Sequence, residues 1–318
     1  MAEPLLGWIA PIDRTPVIEA ADAVAQNAIP RMAQFALPAP RLAKNERVLL
    51  TDGWKNPDVR AGMKLLFNRF RQLSGSCVGV GAGNALVSTI ATQRITDGIE
   101  AFLPFIWACY AMARKDMGEP GPGEGCFGSL MAARLVKDGV SYWTFDQPGL
   151  TLPKYGTSDG IAITREQELA WSTSRNSEIP DVQKYGAEHR LGNAGKCDSV
   201  HDIRAAVLNG YGCSFACNNY VGNASVRGDV LIGRWDTFGP HQQSVHGYWE
   251  HPDHGPLYWA QNSWGGDTYP SDPSGGPVCG CWVKEDDVEA AMRLDSEVYL
   301  LSHMPNVTAN PKVLDWFI

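Results

Sequence analysis

The sequence predicts an α+β protein with two lobes, helical first and β second. Between residues 77 and 138 apolar residues recur at helical spacing. Beyond residue 210, short β-branched and aromatic runs are separated by Gly, Pro, Asn and Asp, as in antiparallel strands. Helices followed by strands are typical of the α+β class. We expect the helical lobe at about 46–198 and the β lobe at about 199–303.

Three helices are predicted in the first lobe. The first begins at Cys77, carries apolar residues on a core-facing side and stops at Asp97-Gly98. The other two are expected from about Pro104 to Lys115 and from about Ser129 to Asp138, where proline suits a first turn and basic residues suit a last turn.

The second lobe opens with one short helix and continues as strands. Ser199 and Asp202 resemble a capping box, and Asn209-Gly210 is a stop signal, so a helix is expected between them. The predicted strands are the runs GCSFACNNY, GDVLIGRW, QQSVHGYW, PLYWAQNSW and GCWVKE.

The two ends of the chain are expected to lie outside this domain. Residues 1–45 are rich in Ala and Pro without sustained periodicity, and no helix long enough to stand alone is evident, so they are interpreted as an arm. The core is expected to begin near Val48, and residues 304–318 form a tail.

Composition excludes several classes of partner. The formal net charge is −8 and no run of five basic residues occurs, so nucleic acid and anionic membranes are not expected to bind. The longest apolar run, FLPFIWACYAMA, is too short to cross a bilayer, and no secretory signal is evident. Eight cysteines without zinc-finger spacing indicate reduced thiols, no metal and no cofactor. A cytoplasmic or virion-associated protein is expected.

Cys77 is the candidate nucleophile. It follows a Gly-Ser turn and starts a helix, where unpaired amides and the dipole favour the thiolate. The alternative is a buried structural cysteine. The glycines after it do not form a dinucleotide loop, because Asn84 stands where the third glycine belongs and no hydrophobic strand leads into the turn.

The motifs together resemble a known family. SGSCVG, followed far downstream by HQQSVHGYW and QNSWGG, is similar to the papain-like cysteine peptidase superfamily, in a divergent form of bacterial or phage type. The resemblance spans roughly residues 48–303. It implies a two-lobed papain-like fold and a thiol hydrolase that cleaves peptide or amide bonds in peptide or protein substrates.

The resemblance assigns a role to each motif residue. Cys77 attacks the carbonyl carbon, His241 takes the thiol proton, Asn262 orients the imidazole and Trp264 covers the bond between them. Trp264 could equally be a core indole. The resemblance also expects a glutamine six residues before the cysteine as an oxyanion donor, but that position is Arg71, and Gln72 stands one residue closer. Either Gln72 still reaches the site, or the oxyanion hole is incomplete.

The resemblance favours His241 over His246, because in the family the histidine opens a strand that ends in Gly-Tyr or a similar pair, and His241 opens the run HQQSVHGYW. Residues alternate between the two faces of a strand, so two histidines five positions apart cannot both face Cys77. His251 and His254 flank Pro252-Asp253 and are predicted to be solvated turn residues.

By resemblance, the glycine-rich run GPGEGCFGSL stands where family members line the cleft on the helical lobe, and Gly125 and Gly128 could let a peptide backbone approach. A flexible loop is the alternative.

Two other functions remain open at the level of the sequence. One is a weak or inactive papain-fold component of a large assembly such as a phage virion, held to other chains through residues 1–45. The other is acyl transfer or cell-wall amide hydrolysis on the same scaffold. In the first case the arm packs on neighbouring chains, whereas an autoinhibitory arm would fold across its own cleft.

Overall fold

The computed structural model describes residues 7–10, 15–63, 70–117, 125–140, 163–172, 180–188, 192–265, 268–302 and 307–318. In these residues the α+β prediction is confirmed. The helices are α1 Pro16–Ala28, α2 Pro57–Met63, α3 Cys77–Asp97, α4 Ile106–Asp116, α5 Gly128–Asp138, α6 Arg165–Trp171, α7 Pro180–Glu188, α8 Val200–Leu208, α9 Glu285–Met292 and α10 Lys312–Phe317, with 3-10 turns at Met32–Gln34 and Leu50–Lys55.

The strands form one sheet. They are β1 Arg47–Leu49, β2 Asn193–Lys196, β3 Cys213–Tyr220, β4 Ala224–Arg227, β5 Val230–Gly233, β6 Thr237–His251, β7 Gly255–Gln261, β8 Gly280–Lys284 and β9 Glu297–Ser302. Their order is β2-β9-β3-β6-β7-β8-β5-β4, and β1 pairs with β6. The pairing of β5 with β8 is parallel, so the prediction of antiparallel strands is wrong at this one pair.

The central helix α3 begins and ends where the sequence predicts. Gly98 closes it in the left-handed conformation at φ 70°, a conformation that glycine adopts without strain. The helix packs on β6 so closely that a Cβ on Gly81 would lie 3.0 Å from the Gln242 side chain. A Cβ on Gly83 would lie 2.5 Å from Ile106 of α4. The glycines after Cys77 therefore serve close packing of α3.

The other predicted elements are shifted by small amounts. The second helix starts at Ile106, so Pro104 lies before it, and the third starts at Gly128. Helix α8 has the capping box of Ser199 and Asp202 that the sequence predicts.

The arm differs most from its prediction. Thr15 caps α1 by accepting a hydrogen bond from the Ile18 amide, and Pro16 occupies the first turn. Helix α1 packs on α5, and the described arm contributes buried core side chains: Trp8, Ala10, Ile18, Ala25, Ile29, Met32 and Leu42. The core therefore begins before Val48. Residues 1–45 lack sustained periodicity, but Thr15-Pro16 is a helix start signal.

Three further findings concern the predicted classes of site. Among the described residues, no helix combines the length and the apolar character that crossing a membrane requires. In the same part of the chain, no group of three or more His, Cys, Asp and Glu residues is arranged to hold a metal ion. All eight cysteines are buried and none forms a disulfide.

Candidate active site

The candidate site lies where the start of α3 meets β6 and the turn after β7. Cys77 is the first residue of α3, His241 lies on β6, and Asn262 directly follows β7. All three side chains are almost completely buried, with at most 1% of their surface exposed. The alternation of faces along β6 and the β6–β7 pairing bring His241 and Asn262 together.

The polarity of Asn262 fixes the tautomer of His241. The Asn262 Oδ1 atom lies 3.1 Å from His241 Nε2 and accepts a hydrogen bond from the Ser263 amide. The Asn262 Nδ2 atom donates to the Tyr269 hydroxyl at 3.0 Å, and that hydroxyl donates to the Val221 carbonyl. Because Oδ1 can only accept, Nε2 of a neutral His241 carries the proton and Nδ1 is the basic nitrogen.

His241 Nδ1 is buried and has no hydrogen-bond partner among the described residues. The rest of the imidazole is enclosed by aromatic rings. Trp264 lies over it with ring centroids 4.7 Å apart and planes inclined by 30°, and Tyr220 meets it edge-on at 5.8 Å. Burial lowers the pKa of His241 to about 4, although the bond to Asn262 acts in the opposite direction. His241 is therefore a neutral imidazole with one unused acceptor.

The thiol of Cys77 is held in its protonated form. Burial raises its pKa to about 12, although backbone hydrogen bonds at Gln242, Gly7, Val78 and Trp8 favour the thiolate. The helix start therefore acts in the direction that the sequence predicts, but desolvation is stronger in this structure. Gly7 and Trp8 belong to the arm, so the arm covers the thiol directly.

Residues 7–9 pair with Cys126, which belongs to the glycine-rich run GPGEGCFGSL. Ile9 donates its amide to the Cys126 carbonyl, and Cys126 donates its amide to the Gly7 carbonyl, both at 2.9 Å. This is a parallel β-bridge at Trp8 and Cys126. Gly7 is pressed against the carbonyl of Gly75, since a Cβ on Gly7 would lie 1.6 Å from that oxygen. The backbone of residues 7–9 thus lies against Gly75 and Cys126, beside Cys77. We call the position that this backbone occupies the groove.

Gly125 and Gly128 lie beside this segment. Gly125 has φ 102°, and a Cβ there would lie 3.2 Å from the Ile9 side chain. Gly128 begins α5, with its amide donating to the Glu297 carboxylate. Residues 121–124 of the glycine-rich run lie outside the described residues.

Gln72 lies against the Asn-Ser-Trp-Gly turn despite its shifted position. Its Oε1 atom accepts from the Ser263 hydroxyl, and its Nε2 atom donates to the Ser74 carbonyl at 2.9 Å. Its backbone amide also donates to the Ser263 carbonyl at 2.9 Å. Gln72 is thus buried at the site, whereas Arg71 at the expected position is only partly buried.

A carboxylate that sequence reasoning missed holds the loop before Cys77. Glu168 of α6 is fully buried and accepts from the hydroxyls of Ser74 and Ser76 and from the amide of Leu73. Burial raises the pKa of this carboxyl, and the three donors oppose that change. No local pattern marks Glu168, because its partners lie more than 90 residues earlier in the chain.

His246 and His251 lie apart from this site. His246 is buried with its Nδ1 atom 3.2 Å from the Ser88 hydroxyl, three turns along α3 from Cys77. His251 is wrongly predicted as solvated: it is 3% exposed, contacts the Trp249 ring and lies 3.3 Å from Asp229. The hairpin turn at 252–254 is present, but the neighbouring strand residues bury its first histidine.

The fold is similar to that of solved cysteine proteases. Xylellain, a cysteine protease from Xylella fastidiosa, matches with a TM-score of 0.52 and 17% identity over 93% of this chain and 95% of that chain. Procathepsin B S9 from Trypanosoma congolense matches at a TM-score of 0.48 and 14% identity, covering 93% of this chain and 92% of that chain. No family model and no curated protein matches the sequence. The chain has the papain-like cysteine peptidase fold, which confirms the fold that the motifs predict.

Proposed function

We propose that this chain is a papain-like thiol hydrolase that cleaves peptide or amide bonds through a Cys77 acyl-enzyme. The observation that carries the proposal is the polarity of the His241–Asn262 pair, which presents Nδ1 of His241 as a buried base. Its fixed tautomer is what proton transfer from a thiol requires.

The proposed reaction proceeds in two stages, formation and hydrolysis of an acyl-enzyme. His241 takes the Cys77 proton, and the thiolate forms a bond to the substrate carbonyl carbon. The imidazolium then donates its proton to the leaving amine as the carbon–nitrogen bond breaks. Water, deprotonated by His241, releases the acid product and regenerates the thiol. The Cys77 amide and Gln72 are the proposed donors to the oxyanion.

We propose further that residues 7–10 close the cleft of their own chain. A substrate cannot occupy the groove while Gly7 and Ile9 pair with Cys126, and Gly7 and Trp8 lie against the buried Cys77 thiol. These contacts support the autoinhibitory alternative for the arm. Packing of the arm on other chains and a phage or virion setting stay predictions, as do acyl transfer and cell-wall hydrolysis.

A point substitution tests the proposal better than removal of residues 1–45. Deletion would take Ile18, Ile29 and Met32 out of the core, at about 1.5–3 kcal/mol for each side chain. Gly7→Ala instead places a methyl group against the Gly75 carbonyl and should lift the segment without touching α1. Val24→Ala is the control, since Val24 lies on α1, outside the segment, and is exposed.

The full chain and its variants are compared by iodoacetamide labelling with peptide mapping and by hydrolysis of fluorogenic peptides at neutral pH. We expect slow labelling of Cys77 in the unaltered chain and in the control variant, and faster labelling with hydrolysis in Gly7→Ala. Cys77→Ala in the Gly7→Ala background should abolish hydrolysis. Trp8→Ala, which removes the other anchor of the segment, should act like Gly7→Ala. Hydrolysis that persists in the Cys77→Ala variant would refute the proposed nucleophile. Fast labelling without any hydrolysis in both Gly7→Ala and Trp8→Ala would refute the proposed hydrolase activity.

A further inference from the structure

The side chain of Trp8 fills a pocket beside the groove, which we name the Trp8 pocket. It is bounded by Glu297, Gly128 and Gln242. The indole is 3% exposed, and its Nε1 atom donates to Glu297 Oε2 at 3.2 Å. The backbone on either side of Trp8 is paired with Cys126, so this pocket receives a side chain from an extended peptide in the groove.

The floor of the Trp8 pocket is a buried carboxylate. Glu297 is the first residue of β9 and is 4% exposed. Its Oε2 atom also accepts from the amides of Gly128 at 2.5 Å and Ser129 at 3.4 Å, at the start of α5. These neutral donors and the helix dipole stabilise a negative charge there.

A second acceptor lies next to it without a partner. Gln242 Nε2 donates to the Val78 carbonyl at 3.0 Å, which identifies the other end of the amide as the oxygen. That oxygen, Oε1, is buried and has no hydrogen-bond partner in the described part of the chain. A Cβ on Gly128 would lie 3.1 Å from Glu297 Oε2 and 3.2 Å from Gln242 Oε1, so the two oxygens flank the same point.

An indole cannot satisfy both oxygens, because it has a single N–H donor. A guanidinium has five donors and an ammonium has three, and both carry the charge that complements a buried carboxylate. Charge-assisted hydrogen bonds of this kind are roughly twice as strong as neutral ones.

We propose that, once residues 7–10 leave the groove, the Trp8 pocket takes an arginine or lysine side chain of the substrate. The inference rests on the proposed peptidase and adds a substrate class to it. Glu297 is the residue that determines specificity, and Gln242 Oε1 is the second acceptor.

The test uses the full chain carrying Gly7→Ala and a fluorogenic peptide library scanned one position at a time. We expect one position to prefer Arg and Lys over Leu by at least about tenfold, from the 1.5–3 kcal/mol typical of hydrogen bonds to charged groups. Glu297→Gln keeps the shape and removes the charge. It should lower turnover of the basic peptides about tenfold and leave the Leu peptides nearly unchanged. Glu289→Gln, on the exposed face of α9, is the matched control and should change neither.

An apolar preference at every position would refute the proposed specificity of the Trp8 pocket. A basic preference that survives Glu297→Gln would refute it as well. A binding measurement separates this failure from failure of the hydrolase. Labelled Arg and Leu peptides are titrated into the Gly7→Ala, Cys77→Ala chain with and without Glu297→Gln. Preferential binding of the Arg peptide that depends on Glu297 supports the pocket even if no variant hydrolyses anything. Equal binding of both peptides refutes it whatever the hydrolysis result.

Discussion

His241 and His246 lie five residues apart on β6 and share most of the features by which a catalytic histidine is usually sought. Both are buried, and burial lowers the pKa of His241 to about 4 and of His246 to about 3. Each has one ring nitrogen with a partner and one without a partner among the described residues. Burial and pKa therefore do not distinguish them.

The partner distinguishes them. Asn262 is locked by the Ser263 amide and by Tyr269, so it dictates which nitrogen of His241 carries the proton. His246 faces the Ser88 hydroxyl, which also lies 3.0 Å from the Asn84 carbonyl. A hydroxyl can rotate its one proton toward either acceptor, so Ser88 does not fix which nitrogen of His246 carries a proton. Only His241 has a base whose position is set before the reaction begins. An environment that fixes polarity is a better mark of a catalytic histidine than a shifted pKa.

The largest expected difference is in turnover. In the Gly7→Ala background, His241→Ala should lower kcat/KM by about a hundredfold to ten-thousandfold, because general acid–base catalysis contributes factors of that size. His246→Ala should stay within a few fold and lower the free energy of unfolding by about 2 kcal/mol through loss of buried contacts. Peptide hydrolysis and urea unfolding of both variants check this. Equal loss of turnover in the two would remove the distinction.

The next largest expected difference is between the hydrogen-bond partners of the two histidines, Asn262 for His241 and Ser88 for His246. Asn262→Ala deletes the bond that fixes the tautomer and should lower kcat/KM by about ten- to a hundredfold, the effect of about 1.5–3 kcal/mol. Ser88→Ala should leave kcat/KM unchanged and lower stability by about 1 kcal/mol. If the Ser88 variant loses more turnover than the Asn262 variant, the assignment of the base is wrong.

The smallest expected difference is in the pH dependence of stability. Folding lowers the pKa of both histidines, so between pH 6.5 and about 4 the unfolded chain binds more protons and stability falls as the pH falls. For His246 alone the loss at pH 5.5 is about 1.4 kcal/mol. His246→Leu should remove that part of the acid slope while keeping the core filled. Unfolding at pH 7.5 and pH 5.5 measures it, and an unchanged slope contradicts the buried neutral state of His246.

Local signals in the sequence predicted much of the fold. The capping box at Ser199 and the glycine after Asp97 lie within a few residues of the groups they satisfy, so their helix ends could be predicted. The face alternation between His241 and His246 is equally local. The exposure of His251 was mispredicted: its ring contacts Trp249, and its Nδ1 atom accepts from the amides of Asp253 and His254.

Contacts between distant parts of the chain could not be predicted. Tyr269 and Glu168 carry no motif, and their roles depend on loops that only the fold brings together. Gln72 was a doubtful candidate one position from the expected one, and its bond to Ser263 spans 191 residues. The proposed nucleophile, base and orienting residue follow from motifs, whereas the groups that contact them do not.

The bond between Trp8 and Glu297 joins residues 289 positions apart, nearly the whole length of the chain. Synthesis begins at the N-terminus, so Trp8 emerges long before its partner exists. Contacts of such high sequence separation form late, because the intervening chain must first be ordered. The indole of Trp8 therefore reaches its hydrogen-bond partner only after β9 has been made, although the backbone of residues 7–9 can pair with Cys126 earlier.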